Sequence, residues 1–373
     1  MAAPRSSLTR ALAPLAADVV AAAALEAPGE ALQGTLSLVP ADRRFVRAVT
    51  IDLCGRTPLP AEWEAAQGQS RGAWIRALAG SVAAAEWSYE EELFYFLLID
   101  NFRPSTDAFS AVPQLLAERK LSIRELLRQV VSSQFFNARN PGNDTFVTVV
   151  LEQLLGVTVQ KEPALLEAGK RMYDGYTTTV LGKSGASQAD LVRIAVDHAQ
   201  FEPTFLERRF TALFGEAPPK KRLAADAARL RAEPLCFPEL LAGWISSAAY
   251  EQRLARPRPK SDRVFVRSLY ADLLGRAPDY QEFRRCRNAL LALSDSRPLR
   301  SVLIKMMLDS GVADGALGAG ATPAEQVAGR FLHFLARPPT EAECAAFVRE
   351  LEGGASPRLV LRALLTHAEY QSY

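Results

Sequence analysis

One helical pattern recurs along this chain, and it constrains the fold more than any other feature of the sequence. The segment Phe265 to Pro278 reads F-V-R-S-L-Y-A-D-L-L-G-R-A-P, with apolar residues at steps of three and four that share one helical face. Gly275 then favours a left-handed C-terminal stop, and Pro278 cannot continue the helix. We call this pattern, a helix ended by glycine and followed by arginine and proline, the stop motif.

The stop motif has four further copies. Phe45 to Pro58 is a close copy, Phe146 to Val159 and Phe205 to Pro218 are more distant, and a last copy has Ala336 in place of the glycine. The positions that define the motif across the copies are Gly55, Arg56, Pro58, Gly156, Gly215, Pro218, Gly275, Arg276, Pro278, Arg337 and Pro339. Because internal repetition is the signature of a repeat architecture, the copies predict stacked helical units.

A second pattern, which we call the closing helix, also repeats. The segment Glu125–Phe136 matches Glu239–Tyr250 at a constant offset, and weaker versions lie at Leu191–Phe201, Leu303–Ser310 and Val360–Tyr370. Apolar residues step by three and four in each, and an aromatic residue follows in all but the fourth. We therefore expect every closing helix to bury one face.

Together the two patterns predict an all-α fold of five or six tandem three-helix repeat units packed as a helical array. No strand pattern is evident, and the insertion Tyr173–Ser187, rich in Gly, Thr and Ser, is expected to be a loop. The expected organisation is a leader over residues 1–40, repeat units 1 and 2 over 41–140, units 3 and 4 over 141–254, unit 5 over 263–313 and unit 6 over 323–373.

Composition favours a globular protein that binds neither membranes nor nucleic acids through a global charge. Hydrophobic residues make up 49% of the chain, charged residues 23%, and the net charge is +2. No apolar run reaches the length of about 18 residues that a membrane span needs. The Ala-rich stretch Ala11–Ala24 follows Arg5 and Arg10 like a signal peptide, but Asp18 interrupts it and favours an amphipathic leader helix. We expect a cytoplasmic protein, with export after signal cleavage as the alternative.

The residues that could bind a metal have a structural explanation. The four cysteines form no CxxC pair, which argues against a zinc knuckle and a haem attachment site. His198 and His367 hold the same position in two closing helices, where Ser133 and Ser247 stand in others, so a role in the fold is favoured over metal binding. His333 has no ligand-type residue at helical spacing. No cofactor is expected.

No motif predicts a catalytic residue. The chain has no G-x-S-x-G nucleophile turn, and Gly182-Lys183-Ser184-Gly185 lacks the spacing of a phosphate-binding loop. The acidic stretch Glu90–Glu92 and the pair Glu341 and Glu343 stand at helix starts, where negative charge complements the helix dipole. Acid–base catalysis by these groups is the weaker interpretation.

Arg56 and Arg276 follow the stop glycines directly, and their position suggests a mechanism. Each guanidinium could donate to the unpaired carbonyls of the helix end. Each could also pair with Asp52 or Asp272, one turn earlier. Either structural role is favoured over ligand binding.

Three basic clusters are nearly balanced by neighbouring acids. They are Lys220–Arg222, Arg284–Arg287 and Arg253–Arg263. Solvated surface is the default interpretation, a docking surface for a partner protein is the functional alternative, and nucleic-acid binding is the third.

The stop motif and the closing helix together resemble the linker-polypeptide domain of phycobilisomes and a related bacterial domain of unknown function with the same LLGR-x-P helix. The best matches are Phe265–Pro278, Phe45–Pro58 and Ser122–Arg139 running into Phe146–Gly156. The resemblance implies an α-helical structural protein that mediates assembly, and it supplies no catalytic residue.

The sequence therefore predicts a non-catalytic scaffold that binds other proteins or copies of itself, with no nucleic-acid partner and no membrane span. The alternative is an enzyme or a small-ligand receptor with a pocket between repeat units. That alternative would gain support if the Tyr173–Ser187 insertion were ordered over a cavity containing His198. A nucleic-acid scaffold is the third possibility.

Overall fold

The computed structural model describes residues 35–37, 39–99, 107–311 and 322–373. Helices make up nearly all of its regular structure, which confirms the all-α class. The predicted leader helix within residues 1–40 and most of the linker Gly311–Thr322 lie outside the described residues.

The elements are numbered in chain order. The first eight helices are α1 (Pro40–Cys54), α2 (Pro60–Ala66), α3 (Arg71–Ala79), α4 (Val82–Leu97), α5 (Asp107–Ser110), α6 (Val112–Ala117), α7 (Ile123–Val131) and α8 (Gln134–Arg139). There follow α9 (Asn143–Leu155), a 3-10 turn (Val159–Lys161), α10 (Pro163–Tyr173), β1 (Thr178–Val180), β2 (Lys183–Gly185), α11 (Gln188–Val196), α12 (Phe201–Phe214), α13 (Lys220–Ala232), α14 (Phe237–Ile245) and α15 (Ala248–Leu254). The last six are α16 (Asp262–Leu274), α17 (Tyr280–Leu290), α18 (Arg297–Asp309), α19 (Pro323–Leu335), α20 (Glu341–Glu352) and α21 (Pro357–Thr366).

The chain divides into two compact lobes. Residues up to 75 and residues 245–373 make up the first lobe, and residues 76–244 make up the second. The first lobe is thus discontinuous in sequence, and the division passes through α3 and α14 instead of through a linker. The six-repeat organisation stays a prediction.

The core of the first lobe is rich in aromatic residues. Phe265, Phe331, Phe334, Phe347 and Tyr370 are among its buried core residues. Phe331 and Phe347 meet edge to face, with ring centroids 5.5 Å apart and planes at 76°. Such pairs add roughly 0.5–1.5 kcal/mol beyond the area that they bury.

The second lobe also packs aromatic residues between repeated elements. Phe136, which follows closing helix α7, meets Phe146 of α9 at 5.5 Å and 82°. Leu126 and Val130 of α7 are buried, as are Leu191 and Val196 of α11. The predicted apolar faces of these closing helices are therefore confirmed.

The Tyr173–Ser187 insertion contains a short β-hairpin, so the prediction of a loop without strands was wrong. Strands β1 and β2 pair antiparallel, with Thr178 opposite Gly185. The two loop residues Leu181 and Gly182 both have positive φ, 50° and 76°, which suits the right-handed twist of a two-residue hairpin. Three-residue strands are too short to show an alternating pattern in the sequence.

Within the described residues, no helix combines the length and the apolar character that crossing a lipid bilayer requires.

Candidate functional site

The stop glycines have the left-handed backbone that their position predicts. Gly55, Gly156, Gly215 and Gly275 end their helices at φ of 66°, 65°, 80° and 64°. Ala336 adopts φ 56° at the same position in the last copy. Because an L-residue with a β-carbon is strained there, this copy carries a local cost that the glycine copies avoid.

The stop motifs meet in pairs within each lobe. In the first lobe, a β-carbon added to Gly275 would lie 3.3 Å from Cγ of Pro60, just beyond the Phe45–Pro58 copy. In the second lobe, a β-carbon on Gly156 would lie 3.5 Å from Oγ1 of Thr204 in α12. The prolines Pro58 and Pro218 are buried in the connections after the glycines, whereas Pro278 and Pro339 are half-buried.

The arginine after the stop residue clamps the start of the next helix. Arg56 donates to both carboxylate oxygens of Glu62 at 2.6 and 2.7 Å. Arg276 binds Glu282 in the same way, at 2.7 and 2.6 Å. Arg337 does so with Glu343, at 2.9 and 2.8 Å. We call this bidentate pair the arginine clamp.

The glutamate of each clamp is also the third residue of the helix that follows. Its carboxylate accepts the backbone N–H of the helix cap, from Leu59 to Glu62, from Asp279 to Glu282 and from Thr340 to Glu343. One carboxylate therefore caps the new helix and binds the arginine that ends the previous one.

The clamp replaces the pairing predicted for Arg56 and Arg276. Arg276 reaches forward to Glu282, while Asp272 binds Arg47 instead. The left-handed glycine reverses the direction of the chain, so the next side chain faces the following helix and not the turn behind it. The six-residue spacing from arginine to glutamate is the sequence signal that could have predicted the clamp.

The three clamps differ in exposure. The side chain of Arg56 is 8% exposed and that of Arg276 is 50% exposed. Burial acts to raise the pKa of Glu343, but hydrogen bonds from Arg337 and Thr340 outweigh it and hold that pKa at about 2. Arg337 also binds Glu369, so the last clamp joins three segments.

Asp52 of α1 is held by three donors from distant parts of the first lobe, a group we call the Asp52 cluster. Its carboxylate accepts hydrogen bonds from Tyr250 OH at 2.6 Å, Tyr373 OH at 2.9 Å and Arg253 Nη2 at 3.1 Å. Burial raises the pKa of Asp52, and the nearby Arg253 only partly opposes that effect.

Asp272 holds the same place in its stop motif and has a matching set of partners, the Asp272 cluster. Arg47 binds it with two bonds of 3.0 and 2.7 Å, and Tyr370 OH donates to it at 2.9 Å. Burial acts to raise the pKa of Asp272, but the opposing effect of Arg47 is larger, so the pKa lies below its usual value. In both clusters a tyrosine from the end of a closing repeat binds the aspartate of a stop motif.

Lys260 is buried beside the Asp272 cluster. Its ammonium donates to the backbone oxygen of Tyr370 and lies 4.0 Å from the centre of that ring. Burial lowers its pKa well below the usual value, and the neighbouring Arg47 adds to the shift. With 2% of the residue exposed, the amine supports the segment at Tyr370 and is shielded from any substrate.

The aspartate–tyrosine contacts were missed by sequence reasoning, although the sequence holds a signal for them. Aspartate stands at this position in two of the three stop motifs of the first lobe, as Asp52 and Asp272, and the last copy has His333 there; the aromatics Tyr250 and Tyr370 of this lobe carry hydroxyls. In the second lobe, the same motif position holds Gln153 or Ala212, and Phe136 and Phe201 end the closing segments. Aspartate and tyrosine therefore occur together among the repeats.

The serines and histidines shared by the closing helices have one structural role. Ser133 and Ser247 accept the backbone N–H three residues later, from Phe136 and Tyr250. The Nδ1 atoms of His198 and His367 accept an N–H two residues later, from Gln200 and Glu369. The shared position caps the turn that follows the closing helix, as its recurrence predicts.

The second lobe has a small apolar cleft between α4, α6 and α14. Ala84, Ser88, Leu116 and Leu241 are among its lining residues, which include no ionisable side chain. His198 and the β1–β2 hairpin do not line it. The condition that would favour an enzyme or receptor is therefore not met by this cleft.

Metal binding finds no support in the described ranges, where no cluster of three or more His, Cys, Asp and Glu side chains could hold an ion.

The most exposed apolar residues of a closing helix lie on α18. Met306 is 64% exposed and Val302 is 53% exposed, one turn apart on the same helical face. Leu359 on the adjoining α21 is 37% exposed. The charges of Arg358 and Arg362 of α21 help to lower the pKa of Asp309, so the end of α18 lies near the start of α21. We call this surface the α18–α21 face.

Comparison among the repeats shows that this apolar character is particular to α18 and α21. The position just before the first apolar residue of the closing pattern is partly or fully exposed in all five closing helices. It is acidic in three closing helices and apolar in two, namely Glu125, Asp190 and Glu239 against Val302 and Leu359. The fold therefore does not require an apolar residue there.

Comparison with known proteins adds no relative, because no family model, no curated protein and no solved structure matches the chain. The resemblance to the phycobilisome linker domain stays a prediction based on the stop motif and the closing helix.

Proposed function

We propose that this protein is a non-catalytic scaffold that holds partner proteins in an assembly through its helical surface. The observation that carries the proposal is the α18–α21 face, where exposed Val302 and Leu359 stand at a repeat position that is acidic in three other closing helices. Exposed apolar residues grouped together mark interaction sites on soluble proteins. Methionine suits such a surface because its flexible side chain adapts to the partner.

The polar clusters support the same proposal. Asp52, Asp272 and the clamp glutamates bind side chains of other helices, and His198 and His367 cap turns. Groups that could act in acid–base chemistry at these places are thus engaged in holding helices together. An interaction surface explains why Val302, Met306 and Leu359 are apolar although they are exposed.

The test is a cross-linked pull-down of the tagged protein from its native cells, together with light scattering on the purified chain. We expect a partner at a defined stoichiometry, and we expect the double variant Val302→Glu/Leu359→Glu to lose it. Both substitutions place the acid that other closing helices carry, so the variant should melt like the wild type. A stable monomer that captures nothing, or equal capture by the variant, would overturn the proposal.

A further inference from the structure

The cleft between α4, α6 and α14 has the size and the apolar lining that small-molecule sites share. It holds about 440 Å³ of empty space, part of which is open to solvent, and ligand pockets span about 300–1,000 Å³. The lining residues from α3 and α4 are all small, namely Ala79, Ala84, Ala85 and Ser88. Larger apolar side chains, among them Leu116, Phe237 and Leu241, complete the lining, and all of these residues belong to the second lobe.

Ser88 brings one polar group to this lining, where every other described residue is Ala, Leu, Ile, Pro or Phe. It is 6% exposed, and its hydroxyl has no hydrogen-bond partner within the described residues. A serine inside a helix can donate to the carbonyl four residues earlier, which here belongs to Ala84, but this bond is not formed. A buried hydroxyl without a partner is unfavourable, so a molecule that pairs with it gains affinity.

The helical spacing directs Ser88 towards the cleft. Ala84, Ala85 and Ser88 are three and four residues apart, so they share one face of α4, and all three line the cleft. Rotation about the Cα–Cβ bond of Ser88 can therefore turn the hydroxyl into the space.

The lining also determines the charge of the occupant. It includes no ionisable side chain, and Glu239, next to the lining residue Pro238, is paired with Arg119. A charged group in the cleft would lose its hydration without gaining a counter-charge. The occupant is therefore neutral.

Water and a side chain of a partner protein fit the cleft less well. A buried water molecule needs about two to four polar partners, whereas the lining offers one polar side chain. An apolar side chain would fill the space but leave the Ser88 hydroxyl unpaired. A molecule with both an apolar body and a polar group satisfies the whole lining.

From these observations we infer that the cleft binds a small neutral molecule with an apolar body and one hydroxyl or carbonyl group, which pairs with Ser88. The small side chains of α3 and α4 leave room for the apolar body, and Leu116, Phe237 and Leu241 contact it. This inference goes beyond the scaffold proposal and does not depend on it.

Ligand-observed NMR titrations of the full chain test the inference with matched probes. The neutral probes with a polar group are p-cresol, cyclohexanol and cyclohexanone, toluene lacks the hydroxyl of p-cresol, and p-toluate is charged. We expect saturable binding of p-cresol, and none of p-toluate. Ser88→Ala should weaken the binding of p-cresol by roughly threefold to tenfold, the effect of one hydrogen bond, and should leave that of toluene unchanged.

Two alanines of α4 provide a blocking variant and its control. Ala85→Leu puts a larger side chain into the cleft, whereas Ala83→Leu makes the same change at a half-buried position that is not among the lining residues. We expect p-cresol binding to be lost in Ala85→Leu and kept in Ala83→Leu. Thermal melting checks that both variants fold, and the Ser88→Ala comparison decides the question by itself if Ala85→Leu does not.

Each other outcome would overturn the inference. If no neutral probe binds saturably, or if Ala85→Leu binds as well as the wild type, the cleft takes no such molecule. Tighter binding of p-toluate would contradict the neutral ligand, and unchanged p-cresol affinity in Ser88→Ala would remove the hydrogen bond. If no probe binds and Ala85→Leu loses a protein that the wild type captures, the occupant is a side chain of that partner.

Discussion

Asp52 and Asp272 occupy the same repeat position, yet their pKa values shift in opposite directions. Both are buried, and both bind a tyrosine hydroxyl and an arginine. The difference lies in the arginine, because Arg47 gives Asp272 two bonds while Arg253 gives Asp52 one at 3.1 Å. A bidentate pair offsets the cost of burying a carboxylate better than a single contact does.

The substitution Asp272→Asn should therefore destabilise the protein more than Asp52→Asn. Loss of the Asp272 charge leaves Arg47 buried without its counter-ion, which costs about 3–5 kcal/mol. Asp52→Asn should cost less, because burial already disfavours the charged form of that carboxyl. Denaturant unfolding of the two variants at pH 7 measures the difference, and equal losses would contradict this account.

The same pair predicts a dependence on pH. The folded-state pKa of Asp272 lies below its usual 3.8, so its contribution is present above about pH 4 and is lost as the pH falls through the folded-state pKa. The deficit of Asp272→Asn relative to wild type should shrink in that acidic range. Asp52, with a raised pKa, contributes in the opposite sense, and its contribution falls as the pH rises past the usual value.

Gly275 leaves less room for a side chain than Gly156 or Gly215 does. Gly275→Val should lower the free energy of unfolding by about 1–3 kcal/mol, because it forces a β-branched residue to positive φ, and its β-carbon would lie 3.3 Å from Pro60. Gly329→Ala is the matched control in the same lobe. It lies inside α19 with open space around its β-carbon position, and it should gain roughly 0.5–1 kcal/mol. Thermal melting measures both, and unchanged melting in Gly275→Val and Gly55→Val would refute the helix stop.

At the scale of helices, the arginine clamp joins the end of one helix to the first turn of the next. Its glutamate is the third residue of the new helix, so capping and the ion pair depend on the same carboxylate. Removing the charge of this glutamate should weaken both the hydrogen bond to the helix cap and the ion pair with the arginine. The cost should depend on how well water can replace the lost contacts.

We expect Glu343→Gln to cost about 1–2 kcal/mol and Glu282→Gln less than about 1 kcal/mol. The side chain of Glu343 is 10% exposed and that of its partner Arg337 is 30% exposed, whereas Glu282 is 26% and Arg276 50% exposed. Salt should reduce the effect of Glu282→Gln further. The ordering is checked by urea unfolding at low and high ionic strength, and a larger loss in Glu282→Gln would contradict it.

The elements that depend on local pattern could be predicted from the sequence. The left-handed stops at Gly55 and Gly275 and the buried face of α7 follow from residue type and helical period. The β1–β2 hairpin could not, because Leu181 at the first loop position has a positive φ that its residue type does not favour. The forward reach of Arg276 does not follow from spacing within one helix, because its partner Glu282 lies in the next helix.

At the scale of the whole molecule, the sequence describes a linear series of repeats, whereas the contacts gather into two lobes. The first lobe joins residues up to 75 with residues 245–373. Helical period carries no information on which repeat meets which, so contacts such as Thr57 Oγ1 to the Ser268 oxygen cannot be inferred from it. The co-occurrence of aspartate with tyrosine is the residue-level feature that points to the pairing.

The α18–α21 face could be located only with the structure. Val302 and Leu359 fit the general apolar periodicity of their helices, so their sequence context does not show them to be exposed. Solvent exposure separates them from the core positions, and comparison with Glu125 and Glu239 then shows that the apolar choice is not required for folding.

Because the first lobe is discontinuous in sequence, some of its contacts can form only late in synthesis of the chain. Asp52 is separated from Tyr250 by 198 residues and from Tyr373 by 321 residues. A ribosome that adds about 5–20 residues per second reaches Tyr373 roughly 15–60 s after Asp52. The second lobe, residues 76–244, is fully synthesised before either of these tyrosines exists. Helix α1, the first of the described helices to be made, therefore acquires these hydrogen bonds only after the second lobe has been synthesised.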